Sequence, residues 1–281
     1  VNVLEMLPNP TPLDLTLWGL AGCAFVMTIA WAVALRLKFL SLVDAVWALG
    51  IGACAAAYHF YFGAVPLRSL LSVAIVLLWS LRLGGHLSLR LAAHFPKEDS
   101  RYVKLKSSWS TGLRAKSFVF FQFQALTQAL FAYPFAVTAL DGSDFPRLNE
   151  IVGFALALVG ILGESVSDRQ LKRFKADKSN AGKVCDVGLW RYSRHPNYFF
   201  EWVVWCGFGA LALAGPMGAW ALVCPLAMLL LLLFVTGVAP SERQSLRSRG
   251  EAYVRYQQTT SRFVPWFPKK AADAEGRSSG G

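Results

Sequence analysis

The chain has 281 residues, 55% of them hydrophobic and only 16% charged, with 28 Lys and Arg against 17 Asp and Glu and a formal net charge of +11. Long apolar blocks separated by basic segments exclude a disordered chain, a disulfide scaffold and a soluble α/β enzyme, and point to an integral membrane protein. The basic residues lie between the apolar blocks instead of along one polar face, so nucleic acid is not expected as a partner; membrane lipids are, and no obligate protein partner is evident.

A helix crossing a bilayer needs about 20 mostly apolar residues. Apolar segments of this kind must be helical, because hydrocarbon cannot satisfy an open sheet edge. Seven spans are predicted, at 14–36, 40–62, 67–86, 117–140, 150–170, 197–214 and 217–238, the last two parted by Gly215-Pro216. One set of connections, 1–13, 63–66, 141–149 and 215–216, holds Arg147, with Arg68 at its edge. Nearly all other Lys and Arg fall in 37–39, 87–116, 171–196 and 239–281. The positive-inside rule then sets the N-terminus outside and the C-terminus in the cytoplasm. The expected fold is an all-α integral membrane protein with seven transmembrane helices, with the bacterial inner membrane as the default location.

The cysteines, Cys23, Cys54, Cys185, Cys206 and Cys224, form no CxxC pair and read as small buried hydrophobes. His59, His86, His94 and His195 show no ligand spacing, so no metal is expected.

Charges inside spans are costly and mark function or a buried pair. Asp44, Arg82, Glu164, Asp168 and Glu201 are such charges, and the orientation above puts all five in the cytoplasmic half of the bilayer. Glu164 and Asp168 share one helix face at i,i+4, as do Asn197 and Glu201, and Lys172, Arg173 and Lys175 follow. Two readings stand: a salt-bridged helix end meeting the headgroups, or a face whose carboxylates accept from ribose hydroxyls while cations pair with phosphates.

The densest constellation is Gly188-Leu-Trp-Arg-Tyr-Ser-Arg-His-Pro-Asn-Tyr198, followed by Glu201. Pro196 sits where a helix would start. Arg194, His195 and Asn197 then gather at a helix N-terminus, a natural anion site. His195 is either a hydrogen-bonding prop or a contact to a cofactor phosphate or amide. Downstream, Ser241 is expected to N-cap one short polar helix with Leu246, Tyr253 and Tyr256 on its apolar side. That helix lies in the interface or forms a lid carrying Arg243 and Arg247. No G-x-G-x-x-G or P-loop precedes a helix, so any nucleotide is bound without a Rossmann unit.

The 188–198 motif resembles the C-terminal signature of the steroid 5-alpha-reductase family, and more closely its bacterial branch, the DUF1295 proteins. The likeness extends to Glu98-Asp-Ser-Arg-Tyr102, Phe121-Gln-Phe-Gln124, Glu164-Ser-Val-Ser-Asp168, and Tyr256 with Phe263-Val-Pro-Trp266. It implies seven membrane helices, NADPH on the cytoplasmic side, and reduction of a polarised C=C bond in a lipophilic, steroid-like or other lipid substrate. It implies a single embedded domain over 1–266, with substrate-side helices in about 1–140, a cofactor-binding half in about 150–266, and a flexible tail over 267–281. Asp168, Asn197 and Glu201 fall on cofactor-binding positions of the family. Glu164 stands where the steroid enzymes have Asn, Lys175 where they have Arg, and Trp79 where they have a Tyr. Arg194, His195 and Tyr198 come with the motif, and Glu242, Arg243 and Arg247 replace the family's C-terminal cofactor set. Asp44 falls near the Glu that holds the steroid carbonyl and is the expected proton donor, with Tyr102 and Tyr133 as further candidates. The alternatives are a membrane methyltransferase using S-adenosylmethionine, which shares the Arg-His-Pro motif, and a non-catalytic lipid-binding member of the scaffold.

Overall fold

The structure, a computed structural model, describes residues 9–109 and 111–269. Among these the secondary structure is entirely helical: α1 (Pro12–Leu37), α2 (Leu42–Phe62), α3 (Pro66–His94), α4 (Ser100–Ser108), α5 (Leu113–Leu140), α6 (Leu148–Ala176), α7 (Pro196–Ala212), α8 (Val223–Leu230), α9 (Val238–Arg249) and α10 (Glu251–Thr259). Six stretches of the described residues are long and apolar enough to cross a membrane: α1, α2, α3, α5, α6 and the run Gly218–Arg249. The protein is therefore an all-α, multi-pass membrane protein. The helix built on the predicted sixth span, α7, has only 17 residues.

Helix starts follow local chemistry. Thr11 caps α1 and Asp14 reaches back to the Thr11 N–H, while Pro12 and Pro66 sit in first turns where no N–H is needed. Helix ends depart from expectation. α3 and α6 run on to His94 and Ala176, past the ends of the apolar blocks, because a helix that leaves the bilayer stays helical until a breaker such as Pro96 stops it. The segment 87–116, expected as a connection, contains α4, capped by the Asp99 carboxylate. The last apolar span is not one regular helix: it starts as a 3-10 turn, winds into a π-turn at Leu231–Val235, and breaks at Gly237. The tail beyond Lys269 lies outside the described residues.

The chain divides into two compact units, one running through Ile151 with Leu211–Ala221 added, the other formed by Val152–Ala210 and the chain from Leu222 onward. In the first, α5 is the central helix: α1 and α2 both pack along it, and α3 packs on α2. Every residue from Phe131 to Ala139 is buried, as expected for a helix surrounded on all sides. Two polar knots hold this unit. Arg68, 1% exposed, donates from Nε to Glu150 at 2.6 Å and from its other nitrogens to the backbone oxygens of Asp141, Ser143 and Asp144. Arg147 joins Asp141 and Glu150 in the same knot. Arg68 and Arg147, boundary and loop residues by sequence, are thus one buried network. In the second knot, Glu98 accepts from the N–H groups of Leu40 and Ser41, both at 2.9 Å, and from Lys106 and the Ser41 hydroxyl. Burial pushes the Glu98 carboxyl up, but those donors outweigh it and hold it below the ordinary carboxylate range.

The second unit is organised by the antiparallel pair α6 and α7, whose backbones touch. A Cβ on Gly207 would stand 2.5 Å from the Ala157 N and 2.7 Å from the Gly153 O; one on Gly160 would stand 2.7 Å from the Val204 N. Small residues at such crossings let membrane helices approach closely. The connection between the helices is fastened to α6: Trp190 Nε1 donates to the Ser167 O at 3.0 Å, and the Leu189 N–H to Gln170 at 2.9 Å. The C-terminal segment straps over the same connection through Arg194 N–H to Ser261 O (2.8 Å), Ser193 Oγ to Phe263 O (2.7 Å) and Trp266 N–H to Tyr192 O (2.9 Å).

Because the Gly207 contact is backbone to backbone, no rotamer change can relieve an added side chain. Gly207→Val is expected to destabilise by about 1–3 kcal/mol or more. Thermal unfolding in detergent should show it, with Leu162→Val on the exposed side of α6 as the near-neutral control.

Candidate functional site

The α6–α7 contact sets the register of the polar groups. Gly207 lies against Ala157, Val204 against Gly160 and Phe200 against Gly163. One turn further, Asn197 Nδ2 donates to Asp168 Oδ1 at 3.4 Å. The same register brings Glu201 level with Glu164. Both are buried, 7% and 6% exposed, and Trp205 Nε1 donates to Glu201 at 2.9 Å. The two i,i+4 pairs read from sequence therefore form one face on two helices. The Asn197 Oδ1 atom is buried there with no hydrogen-bond partner.

Next to this face stands a cationic cluster. α7 starts at Pro196, as expected, directly after Arg194 and His195, which are 8% and 4% exposed. Glu242 of α9 lies 3.2 Å from Arg194 Nε, 3.4 Å from His195 Nε2 and 3.9 Å from Arg262 Nε. The His195 ring stacks on Tyr198 with centroids 5.6 Å apart, and the Tyr198 hydroxyl meets Ser241 at 3.2 Å. Burial pushes the His195 imidazole below its ordinary range, against the opposing pull of the Glu242 carboxylate.

In the other unit, Asp44 is an acceptor: Arg101 donates to one carboxylate oxygen at 2.9 Å and the Tyr102 hydroxyl to the other at 2.5 Å. Tyr102 is buried in a core with Met27, Val43 and Phe121. Burial first, then the adjacent Asp44 carboxylate, push its phenol well above the ordinary range, so it holds its proton at neutral pH.

Residues 30–260 match the family model described as a protein of unknown function, DUF1295. The chain belongs to the DUF1295 family. It is similar to 3-oxo-5-alpha-steroid 4-dehydrogenase 1 of Rattus norvegicus, 36% identical over 92 residues, which is 33% of this chain and 35% of that protein. The Mus musculus protein of the same name is 35% identical over the same shares. The matched stretch thus spans about a third of the length of these curated relatives, and it ties this DUF1295 chain to the steroid 5-alpha-reductase family. An uncharacterized protein of Schizosaccharomyces pombe is 25% identical over 232 residues, 73% of this chain and 66% of that protein. No solved structure matches.

The DUF1295 chain brings together some predicted residues and disperses others. Asp168, Asn197, Glu164 and Glu201 share the α6–α7 face, and Arg194, His195, Tyr198 and Glu242 form the adjoining cluster. Lys175, Arg243 and Arg247 are exposed, and on α9 it is Glu242 that turns inward. The expected single helix is two, split at Gly250 (φ 51°), and Ser241 does not cap it: Gly237 does, leaving Ser241 inside α9. Tyr133 donates to the Met217 O at 3.0 Å. It stands on α5 roughly 18 Å along the axis from Phe121, the Tyr102 neighbour, at 1.5 Å per residue, so it does not join Asp44 and Tyr102. Asp44, expected to donate a proton, accepts in both its contacts, and the proton is on Tyr102. Sequence reasoning missed Arg101 and Arg262: Arg101 lies inside a motif quoted whole, and nothing but its charge distinguishes Arg262.

A free imidazole binds a proton near pH 6.5, whereas folded His195 binds one only at lower pH. Between these values the unfolded chain holds more protons, so stability falls as pH drops through that window. The thermal midpoint of the wild type is expected to fall more steeply from pH 7 to pH 5.5 than that of His195→Gln.

Proposed function

We propose that this DUF1295 protein is an NADPH-dependent membrane reductase acting on the polarised C=C bond of a lipophilic enone. The observation that carries the proposal is the partly buried polar α6–α7 face, with its cationic neighbour, in a chain with relatives named for a 3-oxo-5-alpha-steroid 4-dehydrogenase. The donor set fits the cofactor. Asp168 and Glu201 are acceptors suited to ribose hydroxyls or a carboxamide N–H, Asn197 has a buried oxygen without a partner, and Arg194 with Arg262 suits phosphate. When bound, NADPH supplies a hydride.

The chain's own residues would do the rest. Asp168, Asn197, Glu201 and Glu164 would bind and orient the nucleoside end in a site that excludes water. Arg194, His195 and Arg262 would take phosphate charge, with Lys175 reaching it from the end of α6. In the other unit, Tyr102 keeps its proton and is aimed by Asp44 and Arg101. To donate to a carbonyl oxygen it would turn its single O–H from Asp44, exchanging that contact for one that strengthens as negative charge develops on the oxygen. Asp44 is then a positioning residue, and Tyr102 the group that meets substrate.

Helix length supports the expected topology. At 1.5 Å per residue α7 is about 25 Å long, close to the roughly 30 Å hydrocarbon thickness. Counted as a crossing, it makes seven, with the N-terminus outside and the basic segments around α4, 177–195 and α9–α10 in the cytoplasm of a bacterial inner membrane. A green fluorescent protein fused after Lys269 is expected to fluoresce and an alkaline phosphatase fused there to stay inactive; the reverse pattern would refute this orientation.

The cofactor is tested by titrating the purified protein with NADPH and with S-adenosylmethionine. NADPH is expected to bind and S-adenosylmethionine not, and Asp168→Ala to lose NADPH binding while its unfolding transition persists. Absorbance at 340 nm should fall when enone lipids are added. Preference for S-adenosylmethionine would replace the reductase by a methyltransferase, and NADPH binding with no enone turnover would leave a binding protein.

A further inference from the structure

The cluster around Glu242 is underserved as an internal salt bridge. One carboxylate faces two guanidiniums, Arg194 and Arg262, and the imidazole of His195. Arg194 Nε, His195 Nε2 and Glu242 Oε1 are all buried, within ion-pair distance, and yet none is aligned for a hydrogen bond. Arg194 and His195 are each more than nine-tenths buried, where an unmet donor is costly. The buried Arg68 guanidinium shows the contrast, since all three of its nitrogens donate, although Arg147 Nε in the same knot does not. A phosphate group, with more oxygens and more charge than a carboxylate, would meet two guanidiniums and an imidazole better.

We infer that Glu242 is an internal placeholder: its carboxylate occupies an anion site formed by Arg194, His195 and Arg262, and a ligand phosphate displaces it. The carrier is suited to the exchange, because α9 is bounded by helix breaks at Gly237 and Gly250. The placeholder neutralises the buried Arg194 in the absence of ligand and makes phosphate binding a competition. This reverses the expected role of Glu242: it opposes the ligand and does not grip it. The inference rests on the cofactor reading only for the identity of the ligand, a nucleotide phosphate; the anion site itself is argued from this cluster.

The test is calorimetric titration of the full chain in detergent with inorganic pyrophosphate, NADPH and short-chain phosphatidic acid. Glu242→Gln removes the competing charge and keeps the shape, and is expected to bind pyrophosphate at least about tenfold tighter than the wild type, by analogy with the strength of charge-assisted phosphate contacts. Arg262→Gln in that background should reverse the gain. A Glu242 that serves only to hold α9 in place predicts unchanged or weaker binding in Glu242→Gln, and that result overturns the inference. Should Glu242→Gln fail to fold, Glu242→Asp, which withdraws the carboxylate by one methylene, must show the tightening. Gains for NADPH assign the site to the nucleotide; gains for phosphatidic acid alone overturn the nucleotide assignment. If wild type does not bind NADPH but Glu242→Gln tightens pyrophosphate, the cofactor reading falls and the placeholder stands. NADPH binding without any tightening overturns the placeholder and leaves the cofactor reading in place.

Discussion

The second unit depends on one contact, the backbone approach of α6 and α7 at Gly160 and Gly207. Two helices locked at this distance have no freedom to slide past each other. Asp168 is therefore held against Asn197, and Glu164 level with Glu201. Any larger residue at the crossing would separate or shift the helices and change which polar groups stand opposite one another. Trp190, fastened to α6, and the strap from Ser261 to Trp266 then hold the start of α7 where Arg194 and His195 emerge.

A second constraint comes from the solvent. In a chain this apolar, a buried charge must find its partners inside the protein. The first unit does so completely at Arg68, which draws Glu150 and the loop oxygens of Asp141, Ser143 and Asp144 into one knot, and at Glu98, which holds the start of α2 to α4. The Arg68 guanidinium is fully engaged there, with Arg147 Nε at the edge of the knot left without a hydrogen bond. The cluster at Glu242 contains the same residue types but leaves donors misaligned.

Much of the site is legible in the sequence because it obeys local rules. Asp168 with Glu164, and Asn197 with Glu201, share faces by helical periodicity alone, and Pro196 marks the start of α7 by its missing N–H. In α10 the apolar side is legible, and Tyr253 and Tyr256 are both buried as read. In α9 the apolar positions are too few for periodicity to show that Glu242 turns to the cluster while Arg243 and Arg247 are exposed. Tyr102 and Asp44 are 58 positions apart, and no pattern in either segment shows that one accepts from the other. Cys23 and Cys54, separate buried hydrophobes by sequence, in fact meet with sulfurs 3.3 Å apart across α1 and α2.

By itself, the order of residues determined the helical class, the apolar spans, the clustering of basic segments and the motif that starts α7. These follow from backbone hydrogen bonding in hydrocarbon and from periodicities a few residues long. Only the tertiary structure decided which charges are mutually satisfied, which tyrosine carries a proton against Asp44, and that Glu242 opposes Arg194 and Arg262. Those outcomes depend on distances between helices far apart in the chain, and such distances are set by side-chain volume at crossings like Gly207, which no local pattern encodes.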